Sequence, residues 1–292
     1  MPTDPRAVTP AVLRELPVPP PGEDKDANGR LLVVGGSLRS PGAVRLAGEA
    51  ALRAGAGKVA LATIAPVLAG LGALVPEAAH LPLAANAGGH VDLTRLDPAC
   101  RECGRVDASL VGPGLVDAGH ARALVAELVP HVAGAVVLDG VASAYLTARP
   151  DGLHRREGRA VLSVNPGELA RTAGTSLSAV EQDAVAVAAE VARRCRVVVV
   201  CGGQVKHVVT PAGEAWVVEG GGPGLAASGS GDVHAGILAG LLARGAEPLV
   251  AALWAAYVHA RCGERLAAAV GPVGYLAREL PGEVPAVLGE LG

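Results

Sequence analysis

The chain has 292 residues, a net charge of −3 and a hydrophobic fraction of 50%, so it can bury a sizeable core in one large domain or two small ones. It has no Phe, only three Tyr and two Trp, and no Lys or Arg run typical of a nucleic-acid footprint. The N-terminus lacks a signal-peptide pattern, and no stretch of about 18 residues is apolar throughout. These features favour a cytoplasmic globular protein that binds neither nucleic acid nor membrane.

The five cysteines do not predict a disulfide framework, because their number is odd in a chain expected inside the cell. Cys100 and Cys103 form one CxxC pair, but no second CxxC or paired His follows at a spacing that would complete a zinc site. We therefore predict no protein-bound metal site and interpret the thiols as structural.

In chain order, residues 1–28 are rich in Pro and charge and are predicted as an N-terminal extension with a helix, whereas 29–292 are predicted as one domain. Short apolar runs predict strands at 31–34, 58–63, 108–111, 134–138, 160–164 and 196–200. Helical periodicity predicts helices at 42–56, 178–194, 231–244, 247–269 and 272–291. A Pro-Ala-Gly turn between 205–210 and 215–218 predicts a hairpin.

The continuous Val and Leu runs are typical of strands buried on both faces, and their alternation with helices predicts a doubly wound α/β fold. We expect a single domain with a mostly parallel central sheet and helices on both faces. In such sheets, ligands bind outside the carboxyl ends of the strands. This places five polar or Gly-rich segments on one rim, namely GGS, GPG, Asp139, NPGE and CGG.

The most informative segment is a run of small residues from Gly220 that leads through Gly229-Ser230-Gly231 into Asp232 and an apolar helix. Gly allows the backbone to turn tightly and to approach a ligand closely. The free N–H groups and the dipole of the helix start form an anion site. Asp232 could stabilise the helix electrostatically, or it could accept a proton from a substrate hydroxyl beside a bound phosphate.

The segment GSGDVHAGILAG resembles the signature of the ADP/ATP-dependent NAD(P)H-hydrate dehydratases, which belong to the ribokinase-like superfamily. Further segments resemble that family in the same order over about residues 28–292. They are GRLLVVGGS, with the helix that follows it, VPEA, LVGPGL, VVLDG, LSVNPGE, VVCGGQVKHVVTPAG and AYVHARCGE.

The resemblance implies a ribokinase-like fold and removal of water from hydrated NADH or NADPH. The family phosphorylates the ring hydroxyl with ADP or ATP, and Mg²⁺ is an expected cofactor. Asp232 matches the catalytic base, and Gly229, Ser230 and Gly231 match the phosphate-stabilising hole. The hydrated dinucleotide is expected at Ala43, Gly114, Asn165 and Asp232, and the adenine nucleotide at Gly202, Gly203, Gln204, Val205, Lys206 and Gly231.

Several ligand-facing positions depart from the family pattern. Asn165 replaces a His and can hydrogen-bond a ligand but cannot shuttle a proton. Gly202 replaces a Lys, and we hypothesise that Lys206, on the same face if one strand runs through both, partly supplies the missing charge. Glu168 is retained, either as a ligand group or as a helix cap. His234 and His259 are interpreted as packed or surface residues rather than ligands.

Two alternatives stay open. One is a kinase of the same fold that phosphorylates a thiazole or pyrimidine alcohol, and the other is a non-catalytic nucleotide-binding homologue. The resemblance also implies a homo-oligomer, possibly a tetramer, and a separate epimerase for the hydrate, because about 28 residues are too few to hold that domain.

Overall fold

One ten-stranded sheet with helices on both faces forms the framework of the computed structural model, which describes residues 4–291. The strands are β1 (Arg6–Ala7), β2 (Arg30–Val34), β3 (Lys58–Ile64), β4 (Ala79–Leu83), β5 (Ala108–Val111), β6 (Ala135–Asp139), β7 (Ala160–Val164), β8 (Val198–Cys201), β9 (Lys206–Val209) and β10 (Ala215–Val218). The helices are α1 (Pro10–Glu15), α2 (Gly42–Arg53), α3 (Ala65–Leu74), α4 (Asp97–Cys103), α5 (Ala118–Leu128), α6 (Ala144–Ala148), α7 (Pro166–Ala173), α8 (Leu177–Gln182), α9 (Ala184–Cys195), α10 (Ser230–Ala243), α11 (Pro248–Ala269) and α12 (Leu280–Leu291).

The strand order is β1-β10-β9-β8-β7-β6-β5-β2-β3-β4. The strands from β4 through β8 in this order run parallel, β9 lies antiparallel to both β8 and β10, and β1 pairs parallel to β10. The predicted mostly parallel α/β sheet and the predicted hairpin are confirmed. The parallel strands end at one edge, which brings the segments that follow them together.

Hydrophobic cores fill both faces of the sheet. One core packs α2, α10, α11 and α12 against alternate strand residues such as Leu31 and Val33. The other packs α4, α5, α7 and α9 against the residues between them, such as Leu32 and Val34. This two-sided burial explains the continuous apolar character of the strands. Within residues 4–291, no helix is both long and apolar enough to span a membrane.

The helix predicted at 178–194 is wrong as a single element. It is split into α8 and α9 at Asp183, whose backbone is not helical (φ −152°, ψ 81°) and whose side chain accepts a hydrogen bond from Ala186 N. A carboxylate that caps a new helix in this way competes with continuation of the preceding one. The last predicted helix, at 272–291, is shorter than expected because α12 begins at Leu280.

The described part of the N-terminal extension contains the expected helix, α1, and packs on the domain body. Trp254 on α11 donates a hydrogen bond to the Leu16 carbonyl, and Arg244 donates to the Pro19 carbonyl. These contacts tie the extension to the same core as the rest of the chain. The predicted division into an extension (1–28) and a domain (29–292) therefore stays a prediction.

Candidate active site

The loop before α10 ends in a backbone conformation that strongly favours Gly. Gly229 has φ +90°, and a Cβ there would lie 2.5 Å from Leu46 Cδ1. The Ser230 amide donates to Ala227 O, whereas the amides of Gly231 and Asp232 have no acceptor among the residues described. Two N–H groups at the positive end of the helix dipole are therefore free to bind an anion.

The position of this helix start is fixed by burial of α10 along nearly its whole length. Two glycines let α2 approach it closely: a Cβ on Gly236 would lie 2.2 Å from Ala47 O, and one on Gly240 would lie 2.8 Å from Ala51 O. A helix held this tightly presents its first turn to a ligand with little freedom to move.

A cavity of about 790 Å³ opens in front of α10 at the carboxyl ends of β5 to β8, within the usual size range of ligand sites. Ten of the residues predicted from the sequence line it: Gly114, Asn165, Gly202, Gly203, Gln204, Lys206, Gly229, Ser230, Gly231 and Asp232. Ala43 and Val205 do not line it. Of the five segments expected on one rim, GPG, Asp139, NPGE and CGG all contribute residues to the lining, whereas no residue of GGS does.

Ala43 instead supports the cavity wall from behind. It is buried, and a Cβ on Gly114 would lie 3.1 Å from the Ala43 Cβ and 2.4 Å from Ser40 O. Ser37 adds a hydrogen bond of 3.0 Å from its hydroxyl to the Gly114 carbonyl. The GGS segment thus holds the GPG turn in place, and direct contact of Ala43 with a dinucleotide stays a prediction.

Three carboxylates face the cavity. Burial raises the pKa of Asp232 to about 6. Burial, and then the charge of Asp232, raise the pKa of Asp139 well above its usual value, while Ser163 opposes the shift by hydrogen bonding. Burial also raises the pKa of Glu168. Near neutral pH, Asp232 is therefore ionised, and its neighbour Asp139 is shifted toward the protonated form.

Asn165 and Glu168 form a reciprocal cap at the start of α7. The Asn165 side chain accepts from Glu168 N at 2.9 Å, and Glu168 Oε2 accepts from Asn165 N at 2.9 Å. The capping interpretation of Glu168 is therefore confirmed. The cap leaves the Asn165 amide group and Glu168 Oε1 available to a ligand, and both residues line the cavity.

Lys206 lines the same cavity as the anion loop, but the backbone that places it there is not the predicted strand. The prediction of one strand through Gly202 and Lys206 is wrong, because β8 ends at Cys201 and the chain turns before β9 begins at Lys206. Gly203, with φ +152°, sits in this turn. Lys206 is nonetheless buried and lines the cavity, and burial lowers its pKa to about 8.

Two histidines complete the wall behind the loop. His234 and His259 are buried, line the cavity and contact each other edge to face with ring centroids 5.5 Å apart. Burial, and then the Lys206 charge, lower the pKa of both. Sequence reasoning correctly described them as packed but did not place them at the site, because single helical His residues carry no such signal.

Comparison with known proteins gives consistent results. A family model described as NAD(P)H-hydrate dehydratase matches residues 31–286. An ADP-dependent (S)-NAD(P)H-hydrate dehydratase from Xanthomonas campestris is 45% identical over 98% of this chain and 97% of its own length. A bifunctional NAD(P)H-hydrate repair enzyme from Moorella thermoacetica is 36% identical over 91% of this chain. The matched region covers 50% of that enzyme's own length.

Solved structures show the same fold. A Bacillus subtilis ADP/ATP-dependent NAD(P)H-hydrate dehydratase, co-crystallised with ATP and Mg²⁺, matches with a TM-score of 0.81 at 24% identity over 98% of this chain and 99% of its own. A hydroxyethylthiazole kinase from Pyrococcus horikoshii, which represents the alternative kinase class, matches less well, with a TM-score of 0.58 at 19% identity over 95% of this chain and 91% of its own.

Proposed function

Because the chain belongs to the NAD(P)H-hydrate dehydratase family, we propose that it dehydrates the (S)-hydrates of NADH and NADPH with ADP, or ATP, as phosphoryl donor. One observation carries the proposal at the level of residues. An ionisable Asp232 stands in the first helical turn beside two free amides, and all of them face one large cavity.

The first step would transfer a phosphoryl group to the ring hydroxyl. Asp232 accepts the hydroxyl proton while the oxygen bonds to the terminal phosphorus of the nucleotide, and AMP leaves when ADP is the donor. The amides of Gly231 and Asp232 offset the charge on the transferring group. Next, the ring carbon–oxygen bond breaks, phosphate leaves with the electron pair, and loss of a neighbouring ring proton restores the double bond. The oxygen of the removed water thus leaves within phosphate, and its two hydrogens leave as the proton taken by Asp232 and the proton lost from the ring.

The nucleotide would lie along the turn between β8 and β9. Gly202, Gly203 and Gln204 offer backbone groups and one amide side chain to it. Lys206 supplies the cation that Gly202 cannot, since it is the buried positive group on this wall. Val205 is not among the residues that line the cavity, and its part in binding rests on the resemblance alone.

Mg²⁺ fits this site as an ion shared with the nucleotide. No cluster of three or more His, Cys, Asp and Glu suited to a metal occurs within residues 4–291, but Mg²⁺ commonly takes one or two carboxylates together with phosphates and water. Asp139 and Glu168 would hold it, because a cation there would offset the burial that raises the pKa of both carboxyl groups. The ion would supply charge neutralisation to the phosphates.

The deciding experiment mixes the purified protein with hydrated NADPH and either ADP or ATP, and follows return of the nicotinamide absorbance. The proposed function requires recovery that depends on nucleotide, with AMP formed from ADP or ADP from ATP. A kinase of the same fold would consume nucleotide without restoring the ring, and a nucleotide-binding homologue would do neither. Either result would contradict the proposal.

The pathway around the reaction is also a proposal. Relatives named as bifunctional repair enzymes are about twice as long as the matched region, and we expect a hydrate epimerase to act in the same pathway. Homo-oligomeric assembly stays a prediction from the resemblance, and cytoplasmic location stays a prediction from the composition and the N-terminal sequence.

A further inference from the structure

One buried histidine joins the anion loop to the helix behind it by hydrogen bonding. His259, on α11, is 3% exposed. Its Nε2 lies 3.0 Å from Ser230 Oγ and 3.0 Å from Ser230 O. Ser230 begins α10 and stands between Gly229 and the free amides of the anion site. A buried imidazole therefore contacts both oxygens of the residue at the centre of the loop.

The geometry fixes which nitrogen carries the proton. A carbonyl oxygen can only accept a hydrogen bond, so the contact with Ser230 O requires a proton on Nε2. Nδ1 is then the unprotonated nitrogen of a neutral imidazole, consistent with its lack of a partner among the described residues. Burial, Lys206 on β9 and His234 on α10 lower the pKa of His259 and keep it neutral.

The same proton assignment orients Ser230. Since Nε2–H is shared between the two oxygens, Ser230 Oγ acts as acceptor toward His259 and its own hydrogen remains to be donated elsewhere. The residues described offer it no other partner, and Ser230 lines the cavity. The hydroxyl can thus donate to an anion held by the amides of Gly231 and Asp232.

We infer that His259 is a positioning residue for phosphoryl transfer: it holds Ser230 so that the hydroxyl adds a third donor to the phosphate site. This inference rests on the proposed function, but it concerns a residue that the sequence resemblance assigns no role. His259 acts through Ser230 and does not itself contact the substrate.

The experiment compares His259→Met, which keeps the volume but removes the donor, with His259→Gln, which keeps an N–H near the Nε2 position. We expect His259→Met to lower kcat by about 10- to 100-fold, with KM for the hydrate changed much less. This is below the roughly 10²- to 10³-fold cost of deleting a donor from an anion hole, because Ser230 keeps its hydroxyl. His259→Gln should recover most of that loss. His154→Met is the matched control, because His154 Nε2 makes a similar 3.0 Å contact with Arg194 O away from the cavity, and it should leave kcat unchanged.

A double-mutant cycle with Ser230→Ala separates positioning from general support. If His259 acts through the Ser230 hydroxyl, His259→Met should add little loss to Ser230→Ala. Multiplied losses, or equal kcat values for the Gln and Met variants, would overturn the inference. If the wild type does not restore NADPH, the proposed function fails, and the same cycle is then measured through the dissociation constant for ADP. Non-additive weakening of ADP binding in the double mutant supports the inference, and additive weakening overturns it.

Discussion

The two ends of the parallel sheet treat charge in opposite ways. At the amino end, Asp26 binds both Arg30 and Lys58 on the exposed surface, and these contacts lower its pKa to about 2. At the carboxyl end, Lys206 is buried and Asp232 is half-buried, and neither takes part in the ion pairs found within residues 4–291. The pKa of Asp232 rises to about 6 and that of Lys206 falls to about 8.

The difference indicates which end is adapted to a ligand. Exposed ion pairs cost little and stabilise little, whereas unpaired buried charges destabilise the folded chain unless a ligand compensates them. The carboxyl end therefore keeps an unfavourable arrangement that binding of phosphate and hydrated nicotinamide would relieve. Substitutions that neutralise this end should lower function and raise stability together, and those at the amino end should do neither.

The largest expected effect is that of Asp232→Asn. Loss of the proton acceptor should lower kcat by about 10²- to 10⁴-fold. The same change should raise the free energy of unfolding at pH 7 by about 1–3 kcal/mol, since an acid whose folded pKa is raised destabilises the fold above that pKa. The gain should fall away between pH 6 and pH 4, as measured by urea unfolding across that range.

The pH profile provides the check on this assignment. The wild-type kcat/KM should fall about tenfold per pH unit below a pKa of about 6, because Asp232 must be ionised to take the proton. A flat profile down to pH 4.5, or a residual Asp232→Asn rate that retains the same acid limb, would contradict a role for Asp232 as base.

The next largest effect is expected at Gly229→Ala. Alanine is strained at φ +90°, and its Cβ would meet Leu46 Cδ1, so we expect a loss of about 2–4 kcal/mol in unfolding free energy and reduced phosphoryl transfer. Gly70→Ala is the matched control. That residue lies on α3 with open space around it, and the change should stabilise the chain by about 0.5–1 kcal/mol. Equal melting temperatures for the two variants would argue against a constrained loop.

A smaller effect is expected for Lys206→Met. Affinity for ADP, measured by calorimetry at pH 7, should weaken by about tenfold through loss of a charge-assisted contact. The melting temperature should rise at pH 7, because a lysine with a lowered pKa destabilises the fold below that pKa, and the rise should disappear as the pH approaches the ordinary Lys value. Unchanged ADP affinity would refute the idea that Lys206 replaces the charge missing at Gly202.

The smallest effect is expected at the amino end. Asp26→Asn breaks exposed contacts to Arg30 and Lys58, and it should leave both turnover and ADP affinity unchanged with only a slight change in melting temperature. A large loss of activity here would remove the contrast between the two ends of the sheet.

The local sequence predicts strands well where burial alone selects the residues. The Val-rich strands β7 and β8 are recognisable because burial on both faces selects apolar residues throughout. β4 carried no such pattern, since His80 and Pro82 interrupt an edge strand with one neighbour. The division at Asp183 was missed because helical periodicity continues across it, while the deciding interaction is a single side-chain cap.

At the site, contiguous motifs were predictable and the cluster behind them was not. Gly229 and Asp232 lie in one segment whose composition indicates an anion loop. Lys206 on β9 was predicted at the nucleotide site, but its meeting with His234 on α10 and His259 on α11 was not, because that meeting depends on how the helices pack on the sheet. A local sequence pattern cannot predict the distances among these three side chains, and a single His on an apolar helix is usually a core residue.

The two outer strands of the sheet limit edge-to-edge pairing with another chain. β1, only two residues long, covers β10 on one side, and Val8 N extends this pairing to Val217 O at 2.8 Å. On the other side, Pro82 removes a donor from β4. In the part of the chain that the structure describes, neither border offers a long row of unpaired backbone groups, so a second chain has little to pair with. Deleting residues 4–9 should uncover the Ala-Trp-Val-Val strand and promote aggregation while leaving the ligand cavity intact.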